Sequence, residues 1–253
     1  MMRNLGKYFL LLYCFLGVFS LAAQETSFQT AEQAYTSNDY AKAIEQLTSM
    51  LEQDENPAIY ANLGNAYYAM GDYAPALLAY RRAQALNPRD VVLQQQIALL
   101  QARTGQLTTT DANTDPFAIT ESFTANELAL VGFILWCLFW LQILLIMYQP
   151  NRRSQAALFI AITALIFAVN MSLFGVNLYR TTSQPAAVTM QDTIVRSGPA
   201  ESYPLLYTLP AARDIRITAT EGDWLRFTTH NGQIGWLMSN QIERVQSCPA
   251  ATK

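Results

Sequence analysis

Asp111, Asn113 and Asp115 stand at alternate positions, the spacing with which a loop begins to wrap a hard cation such as calcium. The stretch fails further on. Such a loop needs glycine at its sixth position for the sharp turn and glutamate at its twelfth for two oxygen ligands, and Pro116 and Ser122 stand there instead. Other reactive groups are sparse. The single histidine, His230, falls in an expected hairpin turn, and Cys14, Cys137 and Cys248 lie in three different environments, so neither a metal cluster nor a disulfide framework is expected. Asp54 with Glu55 and Asp214 with Glu221 share no predicted face, which leaves paired-carboxylate chemistry without support. No glycine-rich loop follows a strand to cradle phosphate. The chain therefore reads as non-enzymatic and without a cofactor. The chemistry left to it is recognition: the two-sided amide of Asn65, the ring of Tyr68, and the aromatic side chains of Tyr203, Trp224 and Trp236.

The elements that must position these groups are set by two apolar runs in the middle of the chain. Leu128–Tyr148 and Ala156–Leu178 carry no charged side chain, and each is long enough to cross a bilayer as a helix. Gln149–Gln155 joins them, with Pro150 to stop the first helix and Arg152 and Arg153 as the cluster expected on the cytoplasmic side. A helical hairpin with both outer ends away from the cytoplasm follows. Its polar side chains, Gln142, Asn170, Ser172 and Asn177, suit helix–helix association rather than transport, because no ionisable residue accompanies them. Hydrophobic residues make up 51% of the chain and charged ones 14%, below the roughly 25% usual in soluble domains. A net charge of -3 and a pI near 5.2 argue against a nucleic-acid partner.

At the start, Arg3 and Lys7 precede an apolar run from Tyr8 to Leu21 and the small residues Ala22 and Ala23, the pattern of a signal peptide. The cut falls after Ala22 or Ala23; an uncleaved anchor is the alternative, and it too exports the next segment.

From Phe28 to Leu107 the pattern becomes that of paired amphipathic helices with a repeat. Counted from Pro57, the residues Tyr60, Leu63, Gly64, Tyr67, Ala76, Tyr80, Ala83 and Pro88 occupy every diagnostic place of the tetratricopeptide (TPR) consensus, which this segment resembles. Gly64 and Ala76 let antiparallel helices approach, and Pro88 ends the second helix. Upstream, Asn38–Ile44 lines up with Gly71–Leu77, and downstream Gly105 falls where Gly71 does, giving about two and a half repeats. The resemblance implies a concave groove for an extended or helical peptide, lined in the middle repeat by Ala58, Ala61, Asn62, Asn65, Tyr68 and Ala69. The alternative is that these are tolerated surface residues. Small side chains there suit an apolar or helical ligand, and the basic residues that clamp a terminal carboxylate in some repeats are missing.

Residues 187–246 alternate as five short strands, with a tight hairpin at His230, Asn231 and Gly232. Alternation puts Leu225 and Phe227 inside with Ile215 and Ile217 and leaves Trp224 on the outer face. The run from Val195 to Pro210, with GDWLRF and GQIGWLM after it, resembles bacterial SH3 (SH3b) domains. That implies a small barrel binding peptides or cell-wall material, with Tyr203, Trp224 and Trp236 either forming the ligand groove or serving as structural aromatics.

The fold class expected is thus an all-α TPR solenoid, a two-helix transmembrane hairpin and a small all-β SH3-like barrel. The boundaries expected are a signal peptide over 1–23, repeats over 24–107, a linker over 108–126, spans over 127–148 and 156–179 around a cytoplasmic turn at 149–155, a linker over 180–186, the barrel over 187–246 and a tail over 247–253. This order resembles the BatE-type proteins of the Bacteroides aerotolerance (Bat) family. The resemblance implies two passes through the inner membrane with both soluble parts in the periplasm. It also implies partners among envelope proteins, including Bat proteins with von Willebrand A domains, and a link to a MoxR-type ATPase in stress tolerance or assembly. Peptidoglycan is the other partner to consider.

Overall fold

The computed structural model describes residues 28–106, 124–148, 153–183 and 185–245. The expected signal peptide, Pro150 and Arg152 of the turn, the Asp111–Asp115 stretch, Cys14 and Cys248 lie outside them.

Five helices build the first body: α1 over described residues 28–36, α2 (Tyr40–Leu51), α3 (Pro57–Met70), α4 (Tyr73–Leu86) and α5 (Val91–Arg103). The starts of α2, α3 and α5 are capped by short polar side chains. Asn56 accepts from the Ala58 N–H at 2.9 Å with Pro57 in the first turn, and Asp90 accepts from Val92 and Leu93 at 2.9 and 3.1 Å. Left-handed residues recur at the repeat period: Asn38 (φ 62°) between α1 and α2, Gly71 (φ 86°) between α3 and α4, and Gly105 (φ 69°) after α5. Asparagine serves at the first because its short amide tolerates that region better than other side chains do. Within the middle pair, a Cβ on Gly64 would come within 2.5 Å of the Tyr80 ring, so only glycine lets α3 and α4 approach there.

The hairpin comprises α6 (Ala125–Tyr148, 24 residues) and α7 (Arg153–Ser183, 31 residues), about 36 and 46 Å long. Each holds a 22-residue candidate membrane span, Ala125–Ile146 and Leu158–Tyr179. They run antiparallel, and two of the amides lie along their seam. The Gln142 Nε2 donates to Thr163 Oγ1 at 3.0 Å, and Asn170, 6% exposed, packs against Gly132. Ser172 instead bonds within its own helix, to the Ala168 carbonyl. A reciprocal cap starts α6: Thr124 Oγ1 accepts from the Glu127 N–H, and Glu127 Oε2 from the Thr124 N–H.

The last body is a curled antiparallel sheet, an SH3-like half-barrel of strand order β3-β2-β6-β5-β4-β1-β7. Its strands are β1 (Ala186–Thr189), β2 (Thr193–Arg196), β3 (Leu205–Leu209), β4 (Asp214–Glu221), β5 (Trp224–Thr229), β6 (Ile234–Met238) and β7 (Ile242–Arg244). Leu225, Phe227, Ile215 and Ile217 fill the core with Val195, Leu209 and Leu237. Seven strands replace the five expected. β1 escapes pattern reading because it is buried on both sides, and β7 because it has three residues.

β1 is buried twice over because the sheet lies against the repeats. Ala187 faces the sheet's own core, whereas Val188, fully buried, joins Ala212 and Val245 in one cluster with Leu77, Leu93, Ile97 and Leu100 of α4 and α5. Charge pins this joint. Arg81 grips Asp214 with two bonds, Nε to Oδ1 at 2.8 Å and Nη2 to Oδ2 at 2.6 Å, and Gln101 Nε2 adds a third at 2.9 Å. Arg82 bonds Glu243 at 2.7 Å and the carbonyls of Arg244 and Val245, and Arg213 reaches the Thr104 carbonyl.

Candidate functional site

On α3, the six sequence-named groove residues recur every three or four positions and so share one helix face. Ala58 and Ala69 are exposed, and Ala61, Asn62, Asn65 and Tyr68 are half-buried. Asn65 is more constrained than its sequence position implies, since its Oδ1 accepts from the Tyr80 hydroxyl at 2.8 Å. This bond commits the oxygen of the amide and leaves its Nδ2 as the donor half. Burial, with the nearby rings of Tyr35 and Tyr68, pushes the Tyr80 hydroxyl well above its usual range, so it stays a donor. Tyr68 meets Tyr73 at 5.7 Å between ring centroids, and Arg103 Nε lies 3.5 Å from the Tyr73 hydroxyl. Tyr73 and Arg103 were missed by sequence reasoning, because neither occupies a groove position of the repeat; α5 brings a cation to the tyrosine edge.

Burial also raises Tyr60, with the Glu55 carboxylate beside it, Tyr67, with Asp72 and Glu243, and Tyr207. The unfolded chain releases these protons near pH 10.0, while the folded chain holds them longer. Above that pH the folded state binds more protons than the unfolded one, so stability is intact below pH 10 and falls as pH rises beyond it. Melting followed against pH, together with phenolate absorbance of the native chain, checks this. A melting temperature that holds constant well above pH 10 contradicts it.

On the half-barrel, strand register sets Trp224 and Trp236 on one outer face, and Tyr203 stands apart in a turn. Trp236, at the middle of β6, is paired with Arg226 on β5 and Arg196 on β2. Trp224 lies two residues before Arg226 on the same face, diagonal to Trp236. Tyr203 is 45% exposed in the turn after β2, where its ring lies over Gly198 and its carbonyl accepts from Arg196 Nη1 at 2.9 Å. Both tryptophans are half-buried, and Trp224 faces outward as alternation required. Arg226 is exposed, and its side chain makes no hydrogen bond or ion pair among the described residues. The two arginines flanking Trp236 are the part that sequence reasoning did not single out, since only strand register brings them together.

His230 is exposed in the β5–β6 turn, and among the described residues no three His, Cys, Asp or Glu side chains converge as metal ligands. A family model for the tetratricopeptide repeat matches residues 57–90, and one for the bacterial SH3 domain matches residues 192–241. No curated protein matches the chain. Both matched domains are binding modules, typically non-catalytic, and of the kind that takes proteins or cell-wall material.

Proposed function

We propose that the chain is a non-enzymatic, membrane-anchored scaffold that holds a partner protein through the α3 groove and presents the half-barrel at a fixed angle to it. The observation that carries this reading is the joint: Arg81, Gln101 and Asp214, over a shared apolar cluster, make two recognition modules one body. The same joint supports an inner-membrane hairpin with both modules on the periplasmic side, because Arg81 and Asp214 cannot meet across a bilayer and Arg152 and Arg153 favour the cytoplasm. The order of parts fits a place beside von Willebrand A-domain Bat proteins and a MoxR-type ATPase. A photo-crosslinker at Tyr68 in native membranes is expected to yield protein adducts that an Ala61→Arg change abolishes; adducts no stronger than from exposed Thr36 would remove the groove reading. Topology is checked with single cysteines at Thr36 and Asn240, both exposed, and an impermeant maleimide on intact spheroplasts. Labelling at both is expected, and protection of either one contradicts the arrangement.

The row Arg196, Trp236, Arg226 favours a second reading, in which the half-barrel anchors the chain to cell wall. Peptidoglycan stem peptides carry carboxylates that guanidinium groups beside an aromatic face would bind. Retention of the full chain on purified cell wall, lost on Trp236→Ala, is the result that selects this reading.

A further inference from the structure

We propose that the corner between α4 and α5, presenting Leu86, Val91 and Val92, is a lipid-contact surface. It beds into the headgroup layer beside the end of the hairpin where α6 begins and α7 ends. The inference rests on the membrane reading of α6 and α7 and is independent of what the groove binds.

Three observations converge on this corner. The Arg89 Nη2 lies 3.2 Å from Glu127 Oε2, and Glu127 is in the first turn of α6, inside the candidate span that starts at Ala125. The corner therefore stands at the height where the chain enters the apolar layer. The helix that leads into the corner, α4, is tied to the other helix of the hairpin as well: Arg82 bonds the Val245 carbonyl, the Val245 N–H donates to Ala186, and only Gln184 and Pro185 separate Ala186 from the end of α7. Held at both places, α4 delivers its C-terminal end to the bilayer surface. The residues around Arg89 are then the wrong ones for water, with Leu86 41%, Val91 62% and Val92 63% exposed.

Apolar side chains grouped beside a charged residue are the composition of segments that lie in a membrane interface, with the apolar chains in the acyl boundary and the Arg89–Glu127 pair at headgroup level. The Asp90 charge is offset in part at the start of α5, where its carboxylate accepts from the Val92 and Leu93 N–H groups. The preceding inter-repeat turn carries Glu52, Asp54 and Glu55, all exposed and acidic, which confines the contact to the last corner. The consequence is that the groove's height and tilt above the bilayer are set by lipid as well as by the hairpin.

The test uses the full chain with its three cysteines changed to serine and one new cysteine carrying a small fluorophore. The chain is reconstituted in phosphatidylcholine vesicles with or without acyl-brominated phosphatidylcholine. At Val92→Cys the bromolipid is expected to quench about half of the emission or more, as at Leu130→Cys inside the span, with no quenching at Thr36→Cys beyond the opposite turn. A Val92 label that behaves like the Thr36 label overturns the proposal. Escape of the Leu130 label as well identifies failure of the membrane reading and takes the proposal with it. Because a fluorophore can insert unaided, a label at Leu86→Cys is compared with and without Val91→Asn. Weaker quenching with the polar change supports the contact, and unchanged quenching assigns insertion to the dye and overturns it.

Discussion

Changing Val188 to aspartate is expected to part the half-barrel from the repeats while each keeps its fold. Val188 has no exposed surface, and register places it opposite Asp214 on β4 and Glu243 on β7. The new carboxylate would stand between two others whose cations, Arg81 and Arg82, are already committed. A buried charge left without a partner costs about 3–5 kcal/mol. The molecule can relieve it in one way that spares both cores, because Val188 packs with Leu77, Leu93 and Leu100 of the repeats and its neighbour Ala187 with the sheet. Calorimetry of the detergent-solubilised chain should show the soluble parts melting together in the parent and in two separate steps in the variant. A variant that melts in one step at the parent temperature would show that β1 is not the joint. Asp214→Asn is the milder companion: it keeps the shape but removes the charge that Arg81 and Gln101 both address, and it should bring the two transitions apart without separating them fully.

The parts of this molecule that could be read from the chain are those written at a local period. Asn38, Gly71 and Gly105 mark the repeat because each ends a helix in the left-handed region, and that requirement is visible as a residue type at a spacing. Ile215, Ile217, Leu225 and Phe227 are core residues because strands alternate, and α6 and α7 are apolar over a membrane's thickness. The joint has no such local mark. Arg81 and Asp214 lie 133 residues apart, and an ion pair between them is a property of how two finished bodies meet. For the same reason β1 looks like nothing in sequence: Ala187, Val188 and Thr189 are all buried, so the alternation that announces a half-exposed strand is absent. At the candidate site the division is similar. Tyr203, Trp224 and Trp236 stand out as aromatics, but Arg196 and Arg226 acquire meaning only when register sets them on either side of Trp236. Asn65 is visible in sequence as an amide on the α3 face, whereas its commitment to Tyr80 depends on the approach of α3 to α4.

The largest loss of stability is expected from Phe227→Ala. Among the described residues Phe227 is the largest side chain with no exposed surface, and it sits on β5 between β4 and β6, at the middle of the sheet. Emptying such a site costs about 3–5 kcal/mol, against a total of very roughly 3–9 kcal/mol for a domain the size of residues 185–245. Most of the half-barrel's own stability would be gone, so what remains folded depends on the joint. The joint works in both directions: when the sheet opens, Leu93, Ile97 and Leu100 on α5 lose Val188, Ala212 and Val245 and face water. Phe227→Ala should therefore weaken crosslinking at Tyr68, on a helix the substitution does not touch, as well as the tryptophan signal of the sheet itself. Phe227→Leu, which keeps most of the volume, should cost far less and leave Tyr68 unaffected. If Phe227→Ala abolishes the sheet's signal while Tyr68 crosslinks at full strength and the repeats melt as before, the two modules are neighbours rather than one body, and a scaffold of fixed geometry is the wrong description.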